Sequence, residues 1–509
     1  MRIPPLWSGD DDLVVTQDKL QIWPGSTTDV YATNGSVPGP LIRVRRGEVF
    51  KTRVVNLLPN EPLVIHWHGV LAPEAMDGHP AFQVDSGQSY QVEFPILQQG
   101  ATCWYHSHTD QLTAEQVYKG LAGFFIIDDS ELDALGLPSG DHDIPLVVSD
   151  WRSNTQRQLT YAPAMMDQMV GYLGDSILVN GTPEAWHPVD QGLYRFRLLN
   201  GSNARIYNLA FDDNRKFLLI GNDGGLLPAP VEVNNAVLAP GQRLEILVDF
   251  SNIPLGESLT LRSLGVARDA GPPWISQGST FNILTFHVDR PGNSKVVTAV
   301  SWPKTEMPPD LGNLPKRQFI LNSFMMRHFI NGKQFEMGRI DFEVKQGDWE
   351  IWEFINQGSV YHPMHVHAAH FWVLERQGNL ISPEDRGWRD TVLVAPGETV
   401  RVVIRFKAYD GVFLLHCHNL EHEDAGMMLN FRVISDPEKD LKISYEGKEC
   451  EISWPDTVSG QLEASTDLSQ TTWEKVPITP ELENGRNVVR IQISGSGRFF
   501  RLSNRFSNP

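Results

Sequence analysis

"LLHCHNLEHEDAGMM", residues 414–428, gathers three histidines, one cysteine and two methionines into fifteen positions of a chain with only three cysteines. Along a strand, successive side chains point to opposite faces, so His416 and His418 are expected on one face and Cys417 on the other. The apolar "VFLL" just before them (412–415) has the composition of a buried strand. Two metal centres could therefore stand back to back, joined by adjacent residues of one strand. The same period-2 reading extends to "LYRFRLLN" (193–200), "RLEILVDF" (243–250) and "TVRVVIRF" (399–406). In the last, Val400, Val402, Ile404 and Phe406 share one face and Thr399, Arg401 and Arg405 mark the other. Turns such as "NGSVPGP", "DDNR", "NDGG", "APGQ" and "APGE" separate these runs at sandwich-like spacing. With 42 glycines, 34 prolines and no long amphipathic-helix run, an all-β fold is predicted.

Five hundred and nine residues suffice for three or four domains. "LAPGQRLEILVDF" (238–250) and "VAPGETVRVVIRF" (394–406) echo each other, a turn followed by an alternating strand, as repeated modules would. Composition shifts place the expected boundaries at 1–135, 136–290, a linker over 291–316, 317–435, and a small C-terminal β piece over 436–509. A net charge of −19 and a pI near 5.3 argue against nucleic-acid binding. No apolar run approaches the roughly 20 residues needed to cross a bilayer, so no membrane insertion is expected. The opening "MRIPPLWSGDDD" has no apolar signal region: the expectation is a periplasmic or extracellular protein if a leader was removed, and a cytoplasmic one otherwise. Cys103, Cys417 and Cys450 are too few and scattered for a disulfide framework; Cys103 and Cys450 are expected to be free thiols.

Ten of the 16 histidines fall in four short clusters: His66 and His68; His106 and His108; His362, His365 and His367; and His416, His418 and His422. One His-x-His pair is weak evidence of a metal, but four clusters in one chain are not a chance pattern. A thiolate, two imidazoles and a distant thioether make the electron-transfer copper set. Cys417 and His422 can give two of those ligands, Met427 the weak axial sulfur, and His362 is the natural second imidazole. Zinc would not need the soft axial partner, and closed Cys/His zinc sites usually show two or more cysteines. The remaining eight imidazoles form four His-x-His pairs. They outnumber the needs of one ion and suit three coppers with open positions, a cluster able to gather single electrons for dioxygen.

With these motifs in their order, residues 25–435 resemble the three-domain multicopper oxidases, which include laccases, bacterial copper-efflux oxidases and bilirubin oxidases. "ATCWYHSH", "QVYKGLAGFFIIDD", "GNDGGLLPAPV" and "HCHNLEHEDAGMM" are similar to the copper-efflux branch, and "NGKQFEM" and "HPMHVH" also to bacterial laccases. The resemblance implies three cupredoxin-like Greek-key β-sandwich domains, with the C-terminal piece outside the family pattern. It implies four coppers per chain. The type 1 ion would lie on His362, Cys417, His422 and Met427, and the type 2 ion on His66 and His365. The two type 3 ions would take His68, His106 and His418, and His108, His367 and His416. Cys417 would pass electrons to its neighbours, and two acids, Asp77 and Glu423, would help deliver protons to reduced oxygen.

The chain departs from the copper-efflux oxidases in two places. The span 303–361 holds only Met307, Met325, Met326 and Met337 instead of a methionine-rich insert, and Gly358 stands where that branch has an acid four residues before the first type 1 histidine. The expected activity is therefore a laccase-like oxidation of phenols or aromatic amines by a monomer, with dioxygen as acceptor. A metallooxidase of Cu(I), Fe(II) or Mn(II) and a non-catalytic copper-binding scaffold are the alternatives. His79, His142, His187, His287, His328 and His370 match no motif and are expected to be structural or solvent-facing. The methionines of "AMMDQM" are expected in packing, and Trp104, Trp352 and Trp372 as strand or core aromatics rather than redox relays.

Overall fold

The structure, a computed structural model, describes residues 1–509 apart from 10, 267–275, 293–301, 303–307, 309–310, 325, 378–380, 436–440, 447–448, 456–460, 466–472, 484, 493–498 and 504–509. Most of the expected linker lies outside the described residues, as do Met307 and Met325. The described chain is all-β, with four short helices: α1 (Thr113–Tyr118), α2 (Ser130–Ala134), α3 (Met165–Val170) and α4 (Leu420–Asp424). Two compact units are present, one formed by Met1–Glu343 with Asp348–Arg432 and one by Val344–Gly347 with Val433–Pro509.

The first unit holds three cupredoxin-like sandwiches. In the N-terminal sandwich the sheet Thr28–Thr33, Leu13–Leu20, Val49–Leu57, Ser89–Pro95 faces Ile42–Arg45, Ala122–Asp128, Ala101–Ser107, Ile65–His66, around Phe50, Trp67 and Phe125. The middle sandwich centres its larger sheet on Asp143–Trp151, Leu193–Asn200 and Arg243–Asp249, packed on strands including Tyr207–Phe211, Ser258–Leu264 and Phe281–Arg290. In the third, Trp352 is ringed by Phe319, Phe342, Phe406 and Phe431. Its second sheet sets His362–Val366 between Gly411–Cys417 and Thr391–Val394.

The second unit is a small β domain whose sheets include Lys442–Glu446, Glu449–Pro455, Arg486–Gln492 and Gln461–Ser465, Phe499–Ser503. Its core is built from Ile452, Trp454, Leu462, Val476, Val489 and Leu502. Within 453–473 the strand Gln461–Ser465 is formed, while 456–460 and 466–472 lie outside the described residues.

Alternation holds at Thr399–Arg405, where Val400, Val402 and Ile404 are buried and Arg401 and Arg405 are not. At Leu193–Asn200 both faces are buried instead. The polar face of that strand is covered by the N-terminal sandwich, and its charges are paired. Arg197 holds Asp143 through two hydrogen bonds of 2.7 and 3.1 Å and donates to Thr102 Oγ1 at 2.9 Å. Arg195 and Arg197 both donate to Glu245. Removing charges from water is tolerable only with such complete pairing.

Burial works to raise the Asp143 and Glu245 carboxyls, but the Arg197 and Arg195 guanidiniums overcome it and hold both below their ordinary values of 3.8 and 4.5. Below those values the unfolded chain takes up protons more readily than the folded one, so this stabilisation is complete above about pH 5 and lost as the pH falls through the folded values. The melting temperature is expected to drop steeply below about pH 4 in a pH-resolved thermal scan. Arg197→Met, which strands Asp143 as a buried charge, is expected to lose about 3–5 kcal/mol at neutral pH.

Candidate metal centres

The strand Gly411–Cys417 pairs with His362–Val366 so that Met364 faces Cys417 and His365 faces His416. This register brings both ligand-rich motifs of the third sandwich to one end of one sheet. The chain then turns into α4, which carries His422 and Glu423 in a single buried turn. Cys417 Sγ lies 3.5 Å from His362 Nδ1 and 3.7 Å from His422 Nδ1, and the two nitrogens are 3.3 Å apart. Met427 closes the loop through its backbone, its carbonyl accepting from Cys417 N–H at 3.0 Å and its own N–H donating to His422 O at 2.9 Å. All four side chains are inaccessible to solvent. The Nε2–H of His422 donates to Met169 O in α3 at 3.0 Å, which leaves its Nδ1 bare toward the sulfur. Nε2 of His362 has no protein partner, and Gly358, in the place of the efflux-branch acid, would bring only a Cβ to within 3.8 Å of it.

On the far side of the same strand the eight other imidazoles converge. Sets of ligand atoms within 4.8 Å of one another are formed by His66, His68 and His365; by His68, His106 and His418; and by His108, His367 and His416. His66 Nε2 and His365 Nε2 are 3.3 Å apart. His416 Nε2 lies 3.1 Å from His367 Nε2 and 3.3 Å from His108 Nε2. Three of the outward nitrogens are tied to carbonyls: His66 Nδ1 donates to Asp77 O at 2.5 Å, His365 Nδ1 to Asp390 O at 2.9 Å and His106 Nδ1 to Ser107 O at 2.8 Å. His68 is turned the other way round, with Nε2 donating to Asp390 Oδ1 at 3.0 Å while Nδ1 has no partner.

Such buried nitrogens without partners, His68 Nδ1, His106 Nε2 and both nitrogens of His418, are rare in folded proteins. Their convergence fits metal ions. Burial lowers the His66, His68, His108, His367 and His418 imidazoles well below 6.5, and His106 and His362 to about 3, so these rings are neutral and ready to ligate. Imidazoles in threes and a single set with one cysteine sulfur suit copper.

Both candidate acids reach the cluster. His367 Nδ1 donates to Asp77 Oδ2 at 2.6 Å, and burial raises the Asp77 carboxyl well above 3.8. Glu423 lies 3.0 Å from His416 Nδ1 and 3.6 Å from His108 Nε2. Burial opposes its ionisation, but His416 beside it prevails and holds it below the ordinary carboxylate range. A cavity of about 10 Å³, lined by Gly69, Val70, Leu71 and Ala368, reaches His66, His365 and His367. It has room for about one water-sized molecule.

Several residues of the sites carry no sequence signal. Asp390 is paired with Arg243 of the middle sandwich as well as with His68. Burial opposes its charge, but that guanidinium keeps it ionised, well below 3.8. Gly241, at φ +79° in "APGQ", packs so closely that a Cβ would stand 2.7 Å from the His418 ring; its echo Gly397 in "APGE" has open space around it. Trp104 is not merely core: it stacks on His106 at 4.2 Å. His328 and His370, expected to be structural or solvent-facing, lie respectively on His422 and 3.9 Å from Asp390. Packing is the wrong reading for two methionines of α3, since Met165 and Met166 are 64% and 47% exposed. Cys103, Cys417 and Cys450 are all buried free thiols, and no described helix is long and apolar enough to cross a membrane.

Three family models described as multicopper oxidase match residues 14–132, 142–257 and 307–437. The chain is similar to the laccase of Bacillus subtilis (33% identity over 482 residues, 81% of this chain and 91% of that protein). It is similar also to cell division protein FtsP of Xenorhabdus nematophila (35% over 422 residues, 81% and 85%). Among solved structures, the McoA multicopper oxidase of Aquifex aeolicus matches with a TM-score of 0.78 at 36% identity, over 85% of this chain and 98% of that one.

Burial raises the Cys417 thiol far above its ordinary 9.0, so the metal-free side chain keeps its proton. Metal binding must expel it. The affinity of this site for divalent copper is expected to rise about tenfold per pH unit through neutrality in chelator-competition titrations, and Cys417→Ser should flatten that slope.

Proposed function

The chain belongs to the multicopper oxidase family, and from that premise we propose that it is a laccase-like oxidase of phenolic and aromatic amine donors that holds four coppers. His362, Cys417 and His422, with Met427 as the axial thioether, would hold the type 1 ion. His66 and His365 would hold the type 2 ion, His68, His106 and His418 one type 3 ion, and His108, His367 and His416 the other. When bound, copper supplies one-electron uptake from the donor at the Cys417 site and four-electron reduction of dioxygen to water at the histidine cluster. One observation carries this reading: Cys417 points into one donor set while the residues on either side of it point into two others.

The chain's own groups have defined tasks. Cys417 joins the two regions through the covalent backbone, with His416 Nδ1 donating to Cys417 O at 3.1 Å as a second connection. Asp77 and Glu423 are two buried carboxyls whose proton affinities are pushed apart, the arrangement that separates donor from acceptor roles. Asp77, whose carboxyl burial pushes toward the protonated form, would be the proton donor, and Glu423, held toward the ionised form beside His416, would be the acceptor on that side. The cavity at His66 has room for about one water-sized molecule and is too small for an aromatic donor.

A metal-ion donor is the second reading. Met165 and Met166 expose their thioethers on the helix whose Met169 carbonyl caps His422, and soft sulfur suits Cu(I) rather than Fe(II) or Mn(II). The similarity to a cell division protein bears on the scaffold alternative, but every one of the twelve ligand positions is filled in this sequence.

The holoprotein is expected to contain about four coppers and an intense blue thiolate band, and to consume dioxygen with a dimethoxyphenol. Elemental analysis, absorption spectra and oxygen uptake check this. Cys417→Ser should lose the band and all donor oxidation. Negligible phenol turnover beside rapid Cu(I) oxidation would transfer the assignment to the second reading. Asp77→Asn is expected to slow oxygen reduction by about 10²–10⁴-fold with the blue band retained, measured as reoxidation of the reduced protein.

A further inference from the structure

His328 matches no motif, yet it is fully buried and lies parallel to a proposed metal ligand: its ring stands 3.7 Å from that of His422 at an angle of 21°. Its position is built by a hairpin. Arg327–Ile330 pairs with Lys316–Phe324 and sets His328 directly opposite Ser323. Both ring nitrogens are occupied. Gln168 O can only accept, so the 2.9 Å contact assigns the proton to His328 Nε2. In the neutral ring Nδ1 then accepts from Ser323 Oγ–H at 2.7 Å. The next carbonyl of α3, Met169 O, receives His422 Nε2–H. Two successive carbonyls of one helix thus fix two stacked imidazoles, one a proposed ligand and the other not.

Neither ring can turn without breaking these bonds or entering the other. A neutral aromatic face is electron-rich, and it attracts a neighbouring ring that carries positive charge. A ligating imidazole is more positive when its metal is oxidised than when it is reduced. A stacked, neutral His328 therefore favours the oxidised state of the centre and restrains its rearrangement on electron uptake.

We propose that His328 is a positioning residue for the type 1 centre, holding the plane of His422 and setting how readily the centre accepts an electron. The inference rests on reading His362, Cys417 and His422 as that centre.

The test uses the copper-loaded full chain and three substitutions. His328→Leu and His328→Gln remove the ring, while His328→Phe keeps an aromatic face and loses both hydrogen bonds. Copper content, the blue band, the equilibrium with a one-electron redox mediator and the melting temperature are measured for each. Both ring-less variants should keep about four coppers, move or broaden the blue band, and accept electrons from the mediator about tenfold more favourably, equivalent to about 59 mV for one electron. His328→Phe should return to within about twofold of the unsubstituted protein while melting at a lower temperature. Ring-less variants with unchanged band and equilibrium, whatever their melting temperature, would overturn the proposal. A holoprotein with His328 intact and no blue band would instead refute the reading on which it rests.

Discussion

Cys417 stands between two histidines, and the extended backbone there forces the sulfur to one side and both rings to the other. That geometric constraint organises the sites. It requires a fully buried strand end, since a cysteine set lies on one face and imidazole sets on the other. It also requires His362–Val366 alongside in a fixed register, because the same neighbouring strand supplies His362 to the sulfur side and His365 to the cluster. A one-residue slip of this pairing would exchange the two faces and leave neither donor set complete.

The middle sandwich supplies none of the twelve proposed ligands, but it holds them in place. Gly241 lies against His418 where any side chain would collide. Arg243 neutralises Asp390, which orients His68 through Nε2 and, by its carbonyl, His365 through Nδ1. Helix α3 covers His422. Partners of this kind fix the tautomer and direction of a ligand, and they determine affinity nearly as much as the ligands do. The module without metal residues thus acts as the frame in which the other two meet.

Much of this was legible in the chain. His416, Cys417 and His418 could be placed because a period of two residues is rigid, and the four histidine clusters because several ligands of one type were concentrated in short spans. Asp77 and Glu423 were legible only by family resemblance. Asp390 was not, since a lone acid in "WRDT" gains its meaning from Arg243, 147 positions away. His328 was missed for the same reason: a single histidine carries no pattern, and its role follows from strand register and from two carbonyls of a six-residue helix. The alternation at Leu193–Asn200 misled in a simpler way, because a face that reads as polar can be buried when arginines and carboxylates pair across it.

The contact between His66 and His365 joins positions 299 residues apart. A ribosome exposes the N-terminal sandwich long before the last third of the chain exists, and during that interval its imidazoles can form only incomplete chelates. Late, non-local closure of this kind is slow and leaves partly formed states open to trapping. Maturation consequently has an order imposed by topology: translation must be finished and three modules docked before the histidine cluster is complete enough to discriminate one ion from any other that a stray pair of histidines would bind.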